Sequence, residues 1–432
     1  MRNQDDGARA RTPSTSYAWW SVSALSFLAV LDYADRALIG AVAGPIKEEF
    51  GLTDTQLGIL MGTAFVVSRM LFSAPIGRLA DIFNRRNIIA ISAVVLSIAN
   101  VGFGLARSFL HLFLARAVFG ATTAGTAIPT MSMIADLFPL RTRGLAMSVW
   151  HFGGTIGWAA GAAIAAIATQ KYGWRPTIIA FGVLGAIIAI AFFLTVREPV
   201  RRDSVGNEVE EAPAPPLADV ARFAFRQRSL LHTAAGFCIL NAADLMLANW
   251  GTPFFTRTHD MELGAAGTAV GFALAVGGIP GVLLGGFLFD RLGRRNLRWH
   301  SWLSFSSAVA TIPLAFIMYL NPSPAISVAA MTATALALAL TYAAGTTIPM
   351  GLVGTRMRAV LYAVYSIVTY AGWALGPFVA GYLSTRLGPA LGQNSLRYAL
   401  LASAILFAFW AAMHFLLAAR TINEDYQRAS RH

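Results

Sequence analysis

One cysteine in 432 residues, Cys238, excludes an intramolecular disulfide framework and a cysteine zinc cluster. It falls in an apolar helix, where plain packing is its expected role. Charge is also scarce. Asp, Glu, Lys and Arg make up 12% of the chain, against about 25% in soluble domains. No Walker loop is present, which excludes ATP drive. There is no HExxH helix, no histidine pair at metal spacing and no nucleophile elbow. No metal and no cofactor are therefore expected, and an integral-membrane enzyme would lack its catalytic constellation.

What the chain has instead is apolar length: 56% hydrophobic residues and a mean hydropathy of +0.59. Stretches of about 20 apolar residues, enough to cross a bilayer core, recur along it. The predicted helices lie near 17–46, 54–77, 87–106, 109–136, 143–169 and 175–196, then near 229–256, 263–288, 297–320, 324–350, 357–385 and 395–419. The charged, Pro-rich stretch 197–228 reads as a linker. The first apolar run is too long for a cleaved signal and should remain as a span. The expected fold is an all-α integral membrane protein of twelve helices. It divides into a tail 1–16, a bundle 17–196, the linker, a bundle 229–420 and a tail 421–432.

Basic residues test that layout. With both termini cytoplasmic, 23 of the 33 Lys and Arg fall on the cytoplasmic side, 7 on the other and 3 (Arg36, Arg69, Arg116) within spans. Positive charge collects in cytoplasmic loops, so the net +12 reads as topology and nucleic acid is not an expected partner. The expected location is the cytoplasmic (inner) membrane.

The first helix contains LDYADRAL (Leu31–Leu38). Each charge at the centre of a membrane helix costs about 2.5–3.5 kcal/mol on insertion scales. Asp32, Asp35 and Arg36 share one helix face at i, i+3 and i+4, which must look into protein or water. The stretch recurs as LNAADLML (Leu240–Leu247), with Asn241 in place of Asp32 and Asp244 repeating Asp35 at an offset of 209. GRLADIFNRRN (77–87) recurs as FLFDRLGRRN (287–296) at the same offset, and AGTAIP (124–129) as AGTTIP (344–349). Arg141 and Gly157 answer Arg356 and Gly372 at an offset of 215. Six helices repeated in order predict two parallel halves with a substrate site between them near the midplane.

The loop carrying Gly77, Asp81, Arg85 and Arg86, with Asp290, Arg294 and Arg295 in its second copy, reads as a gate that pairs and releases as the halves rock. It looks like the signature loop of the major facilitator superfamily. Within that superfamily LDYADR, PIKEEFGLTDTQLGIL, RLADIFNRRN, LARAVFG…DLFP and YGWRPTIIAFG…VREP resemble the Spinster-like transporters. The resemblance implies a secondary active transporter working by alternating access, whose vertebrate relatives carry amphipathic lipid signals. It also implies a coupling glutamate in helix four, where this chain has Thr123. The expected proton carriers are therefore Asp35 first, Asp244 next, and Asp32 beside them.

Arg69 sits mid-helix in AFVVSRMLFSAP, with no acidic residue within a turn. Arg116 resembles the superfamily's helix-four arginine. Arg36, Arg69, Arg116, Thr123, Trp150, His151, Asn241 and Asn249 are the candidate substrate contacts. The spaced glycines Gly153, Gly157 and Gly161 read as packing, and Pro129, Pro349 and Pro377 as places where helices bend. The expected function is a proton-coupled transporter, acting as a monomer, for a small amphipathic organic anion or lipid-like molecule. A proton-coupled multidrug exporter, favouring cations through Asp32, Asp35 and Asp244, and a transporter-shaped sensor are the alternatives.

Overall fold

The computed structural model describes residues 15–199, 217–342, 344, 345, 348 and 358–429. Residues 1–14 of the first tail, 200–216 of the linker, 346, 347 and Pro349 of the second AGTTIP copy, Arg356 with the rest of 350–357, residue 343 and the last three residues lie outside the described residues. Among the described residues there is no strand. Among the described residues, twelve apolar helices, all but α10 long, follow one another: α1 Thr15–Phe50, α2 Asp54–Ile82, α3 Arg85–Gly104, α4 Phe109–Leu137, α5 Leu140–Tyr172, α6 Trp174–Thr195, α7 Arg228–Thr258, α8 Leu263–Gly293, α9 Arg298–Leu320, α10 Pro324–Ala339, α11 Arg358–Leu391 and α12 Ser395–Ala429. With no water to satisfy backbone groups in a bilayer, helices are the form such apolar stretches must take.

Local chemistry sets the ends. Thr53 and Gln56 cap α2 reciprocally, Thr53 Oγ1 accepting from the Gln56 amide and Gln56 Oε1 from the Thr53 amide. Asn84 and Ser108 cap α3 and α4 with their side-chain oxygens. Gly173, at φ +87°, turns the chain between α5 and α6 in a conformation that side chains rarely adopt.

Four departures from the sequence expectation matter. Helix α2 runs on to Ile82, so Gly77 and Asp81 are helical and the loop before α3 shrinks to Phe83 and Asn84. Inside α2, Ile59–Thr63 forms a π turn. Helix α10 is interrupted by a turn at Leu340 and Thr341 rather than running unbroken to 350. A short amphipathic helix, Leu217–Arg226, stands within the stretch read as linker.

The packing repeats as the sequence does. Helix α1 lies on α5, α2 on α4, and α3 on α4 and α6; likewise α7 lies on α11, α8 on α10, and α9 on α10 and α12. Gly157 packs on the Val30 backbone of α1, and Gly372 on the Cys238 backbone of α7. A Cβ at either glycine would overlap a carbonyl oxygen, so small residues set how closely these pairs cross.

The halves meet along α5–α8, α2–α11 and α1–α7. Between described residues, their hydrogen bonds and ion pairs lie at mid-depth or toward the side away from the termini. Thr55 Oγ1 meets Thr385 Oγ1 at 2.9 Å, and the Gly264 amide donates to Gln170 Oε1 at 2.6 Å. Toward the termini, Gly77 of α2 and Gly278 and Gly286 of α8 have open space where a Cβ would stand. Among the described residues, the polar ties between the halves therefore close the far side.

Candidate functional site

At mid-depth on α1, Arg36 Nη2 donates to Asp32 Oδ2 at 2.5 Å, an i,i+4 pair with Arg36 only 4% exposed. The guanidinium lies over the Tyr33 ring (4.3 Å to its centroid) and near Phe65 (5.3 Å). Asp35, also 4% exposed, faces Asn100 of α3 inside the first half. The helix face that the sequence joins is thus split: one aspartate neutralises Arg36 and the other is sealed.

The π turn of α2 comes next. A π turn shifts the backbone hydrogen-bond register and leaves carbonyls underused. Here they are taken by side chains: Arg116 Nε donates to Leu60 O at 3.2 Å, and Asn249 Nδ2, from α7 in the other half, donates to Met61 O at 3.0 Å. Around this point Arg36, Phe65, Arg116, Trp158, Leu245 and Trp373 enclose a small void.

One turn beyond Phe65 stands Arg69. It is half-buried, faces Arg36, and lies over the Tyr370 ring of α11 at 5.6 Å. Its Nη1 is buried without a hydrogen-bond partner, and it has no ion pair among the described residues. From the second half, Asp244 Oδ2 accepts from Tyr342 Oη at 3.0 Å. An uncommitted cation, a carboxylate held by a phenol, and tryptophans and tyrosines from both halves therefore converge between them. Such a lining suits a molecule with an anionic head and apolar bulk.

Residues 25–318 match the family described as the Major Facilitator Superfamily. The chain belongs to the major facilitator superfamily. Within the superfamily it is similar to Spinster proteins. Its structure superposes with a TM-score of 0.85 on a bacterial homolog of the human lysosomal transporter Spinster, in an inward-facing, unoccupied conformation, at 26% identity over 95% of this chain and 99% of that one. It is 26% identical to human protein spinster homolog 1, covering 95% of this chain and 82% of the relative. It is also 26% identical to an MFS-type efflux pump of Mycolicibacterium smegmatis over 94% of both chains.

On this major facilitator fold, several sequence-predicted contacts turn out to be braces. Thr123 is fully buried and its hydroxyl donates to Gly120 O of its own helix, so it meets no ligand in this conformation. Trp150 packs in the core of the first half against Leu25 and Leu28. Asn241 donates to Thr369 O across α7 and α11, and Asn249 joins the halves at the π turn. Arg116 is occupied with Leu60 O and the Phe119 ring, 4.9 Å away. His151 is exposed on the α5 face that it shares with Thr155 and Ala162, and Ala162 packs against α8. It therefore looks into the opening between α5 and α8.

The signature loop is anchored within its own half. Arg85 is buried, pairing with Asp136 (2.6 Å) and Glu198 (2.7 Å), while the Arg86 amide donates to Glu198 Oε2. Asp290, Arg294 and Arg295 are solvent-facing or half-buried at the end of α8, with no ion pair to the first half among the described residues.

Contacts between the halves at the far side centre on Asp54, a residue the sequence reading passed over. It is 5% exposed, and it binds Lys47 Nζ (2.6 Å), Arg257 Nη1 (3.0 Å) and Ser384 Oγ (2.6 Å). One carboxylate thus ties the first half to α7 and α11. Trp158, Trp373, Tyr33, Tyr342 and Tyr370 were also missed. The tryptophans had a signal, since both stand in the repeated GWAAG and GWALG at an offset of 215.

Proposed function

We propose that the protein is a proton-coupled secondary transporter of the cytoplasmic membrane that moves a small amphipathic organic anion by alternating access. The observation that carries this reading is Arg69: a guanidinium at membrane depth, between two bundles, without an acidic partner among the described residues. A charge so placed is costly unless something compensates it, and a carboxylate, sulfate or phosphate matches its fork. Tyr370, Trp373, Trp158 and Phe65 supply the apolar surface for the rest of the ligand. A multidrug exporter for cations finds less here. Asp32 is committed to Arg36 and Asp35 is sealed, leaving only Asp244 of the three.

Counterflow in proteoliposomes tests the reading. Taurocholate, a permanently charged amphipathic sulfonate, is expected to exchange labelled for unlabelled molecules through the purified protein. A sensor or an enzyme gives no exchange. Exchange of an amphipathic cation, with none of taurocholate, would replace the anion reading by the exporter.

Sidedness follows from the 23-to-7 distribution of basic residues. The side of the termini is then cytoplasmic, and the closed far side faces outward. In a Cys238→Ser background, single cysteines within 197–228 or after residue 421 are expected to label only from the cytoplasm, and one at Asn321 only from outside. Labelling of the linker from outside intact cells would reverse the orientation.

A further inference from the structure

Three intramembrane carboxylates are available to carry a coupling proton, and geometry separates them. Asp35 is enclosed by its own half, with Oδ1 buried and unpartnered. Asp32 is bound to Arg36. Asp244 is half-buried, and its second oxygen makes no hydrogen bond among the described residues. Its one partner among the described residues, Tyr342, follows the turn at Leu340 and Thr341 that ends α10. Interrupted helices at mid-depth are where transporters place coupling ions.

We propose that Asp244, positioned by Tyr342, is the coupling acid, and that it links proton and organic anion in the same direction, as a symporter. The inference rests on the anion reading above. Arg36 and Arg69 of the first half hold the anionic head, and Asp244 of the second half reaches them through Tyr342 and Tyr33, whose ring lies under Arg36. A deprotonated Asp244 repels the anion; a protonated one does not. Linkage is reciprocal, so the bound anion equally favours the protonated acid. The proton comes from water on one side, rides on Asp244 through the change of access, and returns to water on the other side.

The groups facing Asp244 are few. Tyr342 donates from just after α10, and behind it stands Tyr33 of α1. Tyr370 of α11 faces Arg36 and Arg69 instead. Among the described residues, α8, α11 and α12 bring no charged side chain into ion-pair range of Asp244.

The test uses the full-length protein in proteoliposomes with taurocholate and an imposed pH gradient. The wild type is expected to concentrate taurocholate toward the alkaline side. Asp244→Asn should keep counterflow but lose at least tenfold of the accumulation, and its affinity should no longer vary between pH 5 and 8. Asp244→Glu should restore coupling. Tyr342→Phe should stay coupled with its pH midpoint moved upward, because a carboxylate without its donor holds its proton more tightly. Asp35→Asn should still concentrate the probe. Accumulation by Asp244→Asn at the wild-type level, or toward the acidic side by the wild type, overturns the proposal. So does loss of counterflow in an Asp244→Asn protein that melts normally. Absence of exchange by the wild type overturns the anion reading itself, a failure distinct from these.

Discussion

Arg69→Ala is expected to lower affinity for taurocholate at least 100-fold while leaving the melting temperature of the unliganded protein at or above that of the wild type. Truncating one partner of a buried charge pair costs about 2–5 kcal/mol, and 1.4 kcal/mol is a factor of ten. The second half of the expectation depends on what Arg69 touches before ligand arrives. Asp32 is already spent on Arg36, and among the described residues Arg69 makes no ion pair and lies over the Tyr370 ring. Removing it therefore breaks no ion pair and relieves a desolvated charge. Arg69→Lys keeps the charge and loses the fork, with about a tenfold loss expected. Melting curves with and without taurocholate decide the matter, since a ligand stabilises only what it binds. Equal ligand-induced stabilisation in wild type and Arg69→Ala would take Arg69 out of the site.

Asp54→Asn is expected to loosen the closed side of the molecule by about 2 kcal/mol, roughly a 30-fold shift in the balance between open and closed far sides. Asp54 gathers Lys47, Arg257 and Ser384 from three helices. With a neutral side chain in its place, the two cations face each other across the interface without a counter-charge. The reporter is a pair of cysteines at Thr55 and Thr385, whose hydroxyls meet at 2.9 Å. Oxidative cross-linking of that pair should be fast in the parent and fall by an order of magnitude when Asp54→Asn is added. An unchanged cross-linking rate would show that Asp54 is a passenger at the interface.

Sequence legibility follows the range of each interaction. The helices were legible because apolar length is a local property, and the repeat because duplicated stretches keep their spacing. Arg69 was legible as a charge within an apolar run. Asp54 was not, since its partners lie on three other helices and its own surroundings, GLTDTQ, read as an ordinary cap. Thr123 shares a helix face with Arg116, seven residues away. Thr123 is nevertheless buried inside its own half while Arg116 borders the space between the halves, and helix rotation is set by packing that no single stretch reveals. The π turn has no compositional signature at all. It exists because Arg116 and Asn249 are in place to receive the carbonyls it frees.

That turn gives α2 one residue of slack. The segment that closes against α11, from Asp54 to Gly58, is separated from the segment bearing Arg69 by a coil wound looser than the rest. The outer segment can swing as the far side parts without dragging the inner one, so Arg69 can stay by Tyr370 while the door above it moves. One of the turn's two latches, Asn249, belongs to the opposite half. Parting the halves must release it, leaving the Met61 carbonyl free to rejoin an α-helical ladder. Opening the far side would then tighten α2 by that one residue, turning a rocking motion of two bundles into a twist along a single helix.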